Sequence, residues 1–223
     1  MKYIYTFIFI FFTTGCWNYR ELNNSAIVTS LAIDYIGSEY QIAALIANGK
    51  KISDNTSQAG IVYGYGDTID KALADIELTS PKEISIKHLS LVIISEDIAI
   101  RGISDIVDYL LSDQQLGQNF YLIVAKDSLA IDILTVSSPL AEYSSRSIVD
   151  NLKSSKFADD SSFKKFIKKY LDINTNPSVT GATVIQSLWY DYETEEVVLP
   201  SEYIKLNYKA IFKGDKLDRW IND

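Results

Sequence analysis

Residues 88–95 read HLSLVIIS, from His88 to Ser95, and after Leu89 they are apolar except for Ser90 and the closing Ser95. A strand with one wet face alternates apolar and polar residues. A run without that alternation belongs to a strand covered on both faces. A second such run, FYLIVA, spans Phe120 to Ala125. Between the two, Ser95 can cap a helix, and Glu96 and Asp97 suit its positive N-terminal end. Ile103, Ile106, Val107, Leu110 and Leu111 form the helix's apolar stripe. Strand, helix and strand at this spacing predict a right-handed parallel βαβ unit.

Working toward the N-terminus, Ala26–Ile36 and Tyr40–Ile46 are apolar runs separated by Gly37-Ser38, which predicts a β-hairpin. Asn48–Gly66 is rich in Gly, Ser, Asn and Lys and reads as loop. Asp67 or Thr68 then caps a helix with Ile69, Ala72, Leu73 and Ile76 on one face, and Pro81 follows its end.

Toward the C-terminus, helices are expected over Ser128–Leu134, Tyr143–Ser154 and Ser161–Leu171. The second turns Ile148, Val149 and Leu152 inward. The third turns Phe163, Phe166, Ile167, Tyr170 and Leu171 inward. A break at Asn174–Pro177 precedes a strand over Val179–Trp189. Ile204 to Phe212 alternates as a half-buried strand, and Gly214-Asp215 turns the chain back into Leu217–Ile221. The expected class is therefore α/β, a mixed sheet flanked by helices over residues 26–189. Residues 190–223 read as a linker and the start of a second small β-containing domain.

The 223 residues carry a formal net charge of -8, with a pI near 4.7. An acidic body repels phosphate backbones, so no nucleic-acid partner is expected. Charge alone will not hold it on an anionic membrane either. One cysteine, Cys16, and one histidine, His88, exclude an internal disulfide and leave a His/Cys metal site short of ligands. No metal or cofactor is expected.

The first residues point to a different attachment. Tyr3–Phe12 reads YIYTFIFIFF after Lys2, an apolar run of 10 residues. A bilayer span needs about 20, so the run fits a signal-peptide core. Thr13-Thr14-Gly15 and Cys16 follow. This junction resembles the lipobox of bacterial lipoproteins, with Thr13 in place of the usual Leu. Cleavage between Gly15 and Cys16, with lipidation of Cys16, is the expectation. Residues 1–15 are then the signal peptide and 16–25 a lipidated tether. Each buried methylene contributes about 0.8 kcal/mol, and two acyl chains anchor stably where one does not.

Other candidate residues have plainer readings. His88 stands at a strand start, where a lone histidine is usually structural. Asp159-Asp160 and Glu195-Glu196 are acidic pairs, but sequence neighbours point to different sides and make poor acid–base partners. Gly60–Gly66 (GIVYGYG) lacks the Lys-Ser/Thr of a phosphate loop. Lys164, Lys165, Lys168 and Lys169 make a basic helix face; its plainer reading is a solvated face opposite the aromatic stripe, and its functional one is contact with lipid headgroups or an acidic partner. Trp17 suits a membrane interface or a tether. No catalytic residue is assigned, and an enzyme is not expected.

Cys16-Trp17-Asn18-Tyr19-Arg20-Glu21-Leu22-Asn23 resembles the start of the mature C subunits of spore germinant receptors, the Ger(x)C family. So do Ala26-Ile27-Val28 through Ile33-Asp34 and Lys87-His88-Leu89 through Ser95-Glu96. Gly102–Asp105, Tyr121–Lys126, Ala210–Leu217 and Trp220-Ile221-Asn222 add further landmarks in the same order. At Leu111-Ser112-Asp113 the chain has Ser where the family commonly has Arg. Family members continue well past the Trp-Ile-Asn landmark, so a shortened version of the family chain is expected.

The resemblance implies a lipoprotein, acylated with palmitate-type chains, on the outer face of the inner membrane of the endospore. It implies assembly with two membrane partners, the A and B subunits, in nutrient-triggered germination, and no enzymatic role. The alternative is a solute-binding lipoprotein of a transporter, for which the mature chain is short. An envelope hydrolase is a third reading.

Overall fold

A computed structural model describes residues 25–47, 59–113, 116–136, 144–191 and 196–222. The hairpin is present: β1 (Ser25–Ile36) pairs antiparallel with β2 (Glu39–Ala47) across Gly37, whose φ of 66° supplies the turn. The segment read as loop is partly strand. Its C-terminal part, β3 (Ala59–Gly66), pairs antiparallel with β2. Glycines that look like loop residues serve here as clearance for α1 (Ile69–Thr79). A Cβ on Gly64 would lie 2.0 Å from the Ala72 carbonyl oxygen, and one on Gly66 would lie 2.5 Å from the Ala72 nitrogen.

Helix α1 starts as the sequence predicts, with Thr68 Oγ1 accepting the Lys71 N–H at 3.3 Å. After β4 (Glu83–Ser85), the HLSLVIIS run begins its strand later than expected, as β5 (Leu91–Ser95). Ser95 caps α2 (Glu96–Arg101) as predicted, but the helix does not run through. Gly102, at φ 133°, separates α2 from α3 (Ser104–Ser112). Leu111, expected inward, is therefore partly exposed. Next come β6 (Tyr121–Ala125), α4 (Ala130–Thr135), α5 (Ser144–Ser154), α6 (Ala158–Ser161) and α7 (Phe163–Tyr170). The chain closes with β7 (Ser178–Asp191), β8 (Glu196–Lys213) and β9 (Lys216–Asn222).

The nine strands of the described residues join one mixed sheet. Its order is β3-β2-β1-β5-β6-β7-β8-β9, with β4 paired to β1. The centre, β1, β5, β6 and β7, is parallel, and the outer pairs are antiparallel. Every residue of β5 is buried because helices cover both faces. Val92 and Ile94 face the layer of α1, α2, α3 and α7; Leu91 and Ile93 face α4 and α5. The predicted α/β class and the parallel β5–α2/α3–β6 unit are thus observed. The expected boundary between residues 189 and 190 falls within β7, and residues 192–195 lie outside the described residues. Beyond them β8 and β9 continue the same sheet, with Ala210 and Phe212 buried in the same core.

A bulge in β1 sets the sheet's register. Between Val28 and Ser30 the pairing with β2 slips, so Val28 and Leu31 both reach the same core. Thr29 keeps a fully used carbonyl: it accepts the Ser90 N–H at 2.9 Å and the Ser90 hydroxyl at 2.8 Å.

Candidate functional site

In sheets of this kind, polar groups gather beyond the carboxyl ends of the parallel strands. Here Asp34 lies near the end of β1, Ser95 ends β5 with Glu96 next to it, and Lys126-Asp127 follow β6. Asp34 is buried, and its two carboxylate oxygens accept the N–H groups of Ala130 at 2.7 Å and Ile131 at 3.1 Å. It thereby satisfies the first donors of α4, a six-residue helix that lacks a side-chain cap from its own N-cap residue, Leu129. Burial pushes its carboxyl above the usual aspartate value, and these two hydrogen bonds only partly offset that.

Glu96 spends both oxygens. Oε1 accepts the indole N–H of Trp220 at 2.5 Å, and Oε2 accepts the Asp127 N–H at 3.1 Å. The second bond holds Asp127 at φ 57°, a conformation uncommon for a residue with a side chain. Lys126 sits 4.9 Å from the Tyr208 ring centre and 5.7 Å from that of Trp220, and it pairs with the Asp127 carboxylate. That carboxylate raises its pKa above the ordinary lysine value, against the opposing effect of burial.

Gly181 on β7 makes the space. A Cβ there would stand 2.3 Å from the Trp220 ring. Asp215, in the β8–β9 turn, accepts the Ile103 N–H through its carbonyl at 2.9 Å and lies against Gly102. The cluster is a latch. Its cation is neutralised, its carboxylate is doubly engaged, and it ties β9 to α2 and the β6 end.

A second polar feature is a hollow of about 450 Å³ between β2, α1 and α3. Asp67, Asp70, Asp105 and Asp108 line it with Tyr40 and Tyr109. Asp67 is held by Lys71 at 2.7 Å, and Tyr40 donates to Asp105 at 3.3 Å. Burial and then the Asp105 charge push the Tyr40 hydroxyl up to about 12. Tyr109 is raised further, by burial and then by Asp113. Among the described residues no group of three His, Cys, Asp or Glu side chains is placed to hold a metal.

The residues singled out in the sequence fall elsewhere. Gly15, Cys16 and Trp17 lie outside the described residues, as do Glu195 and the side chain of Glu196. His88 is exposed in the turn before β5, not in the strand. Asp159 pairs with Lys165, while Asp160 takes Lys209 at 2.6 Å and Ser178 Oγ at 3.1 Å, so this acidic pair is structural. Leu171, expected inward, is exposed. The latch was not foreseen as a site, although its parts stand among the landmarks already quoted: Ser95-Glu96, Gly102, Lys126, Asp215 and Trp220. Their convergence is a property of the fold.

That convergence accompanies a match over most of the chain. The family model described as the spore germination protein N-terminal domain matches residues 18–200. The chain belongs to the Ger(x)C family of spore germination proteins. It is similar to the putative spore germination protein YfkR of Bacillus subtilis (strain 168), 26% identical over 213 residues, which cover 92% of this chain and 53% of that protein. Spore germination protein KC of the same organism is 24% identical over 230 residues, 94% of this chain and 56% of the relative. Spore germination protein B3 is 23% identical over 144 residues, 62% of this chain and 38% of the relative. This Ger(x)C chain spans about half the length of YfkR and KC. No solved structure matches it significantly. Among its described residues no helix is long and apolar enough to cross a membrane.

Proposed function

We propose that this Ger(x)C protein is the lipoprotein subunit of a nutrient germinant receptor. It is exported, cleaved before Cys16, acylated there, and held on the outer face of the inner membrane of the endospore. Its work is assembly with the A and B membrane subunits. The observation that carries this reading is the family match across residues 18–200. The closed latch around Glu96 supports it, because both of its carboxylate oxygens are already engaged by the protein's own donors. An interlocked α/β body is suited to presenting a rigid surface.

The test is co-purification from spore membranes with candidate A and B subunits, for the intact chain and for Cys16→Ala. The intact chain should fractionate with membrane and bring both subunits with it, and Cys16→Ala should be released from the membrane. Intact mass should show loss of residues 1–15 and the added acyl mass. An unmodified Cys16 behind a retained leader would sink the lipoprotein assignment. A membrane-bound chain that recovers neither subunit would sink the receptor assignment.

A further inference from the structure

The N-terminal edge of the four parallel strands carries two features that face one way. β1 enters the sheet there at Ser25, nine residues after Cys16, a span of about 30 Å at most when extended. The register runs Ser30 beside Leu91 and Leu91 beside Tyr121, with β7 starting at Ser178 on the same edge. Directly before Ser178 stands a built turn. Asp172 Oδ1 accepts the Asn174 N–H at 3.0 Å, and Thr175 Oγ1 donates to the Lys169 carbonyl at 2.7 Å.

This ordered turn buries Pro177 but leaves its two aliphatic side chains outside the core. It holds Leu171 67% exposed and Ile173 99% exposed. Lys164 and Lys168 precede them on the outer face of α7, one turn apart and in line with Leu171. The opposite face of the helix is fixed in the core by Phe163, Phe166 and Ile167. Lys165 and Lys169 point instead toward Asp159 and Asp160.

We propose that Lys164, Lys168, Leu171 and Ile173 form a contact surface for an anionic lipid bilayer. Cations on a helix face beside exposed aliphatic side chains fit the headgroup boundary, where the charges meet anionic lipid and the aliphatic groups enter the acyl layer. The body is acidic overall, so this contact is local and sets orientation; the acyl chains at Cys16 supply retention. The inference rests on the lipid-anchor reading and adds which side of the domain lies down.

Acylation of Cys16 leaves an Ile173→Cys variant with one reactive thiol, which takes a polarity-sensitive fluorophore. The full lipidated chain is reconstituted on vesicles of phosphatidylcholine alone and of phosphatidylcholine mixed with phosphatidylglycerol. On the mixed vesicles the probe should shift to the blue and be quenched by nitroxide-labelled lipid. Lys164→Glu with Lys168→Glu should return it to a water-like spectrum, each lysine being worth about fivefold in occupancy of the contact. A probe at Leu129→Cys, beyond the opposite end of β6, should stay water-like throughout. A chain that floats with both vesicles while its 173 probe stays water-like overturns the contact and leaves the anchor standing. A chain that does not float overturns the anchor reading and the contact with it.

Discussion

Trp220 donates its indole N–H to Glu96 Oε1 across 124 residues of sequence, and the other oxygen of the same carboxylate fixes the Asp127 backbone. One carboxylate therefore joins the last strand, the start of α2 and the end of β6. Trp220→Phe keeps much of the ring and removes the donor, and should cost about 1 kcal/mol. Glu96→Ala strands two donors and should cost about 2 kcal/mol. Urea denaturation of both single variants and the double variant should give a coupling of about 0.5 kcal/mol or more. Additive losses would mean the two side chains do not act together.

Gly64 and Gly60 lie on the same strand and make opposite predictions. Gly64→Ala must displace the α1 backbone at Ala72, since the clash is with a carbonyl oxygen rather than a movable side-chain tip. About 2–3 kcal/mol should be lost, within the range for overpacking. Gly60→Ala meets nothing within 4 Å and should fall within about 0.5 kcal/mol of the parent. Equal thermal midpoints for the two variants would contradict the close approach of β3 and α1.

Asp34 should give stability an unusual pH dependence. Its folded carboxyl titrates above the ordinary value of 3.8, chiefly because burial disfavours the charge. The proton therefore favours the native state. This contribution is fully present below the unfolded pKa and is lost as pH rises through the folded one. Asp34→Asn removes the titration. As pH falls from about 7 toward about 4, the parent should gain urea midpoint relative to the variant. A gap that narrows over this window would mean the ionised form is the one the fold prefers.

The legible parts of this fold were those whose signal is local. HLSLVIIS and FYLIVA marked two doubly buried strands because neither alternates, and the structure places both in the parallel centre. Thr68 and Ser95 were readable as caps because capping acts over three residues. The failures were segments whose conformation serves a distant neighbour. β3 looked like loop because its glycines are shaped by α1, and Leu171 looked inward because helical period does not say where the core ends.

Sequence alone determined the acidic, single-cysteine chemistry, the class of the fold and the landmarks that announced the family. Each is carried by composition or by residues a few positions apart, where spacing translates directly into geometry. Only the tertiary structure decided that Glu96, Lys126 and Trp220 meet, that Asp34 caps a helix 96 residues away, and that the turn at Ile173 shares an edge with Ser25. Those relations depend on which strands pair and in what register. That is set by the simultaneous packing of both helical layers, a quantity no single window of sequence contains.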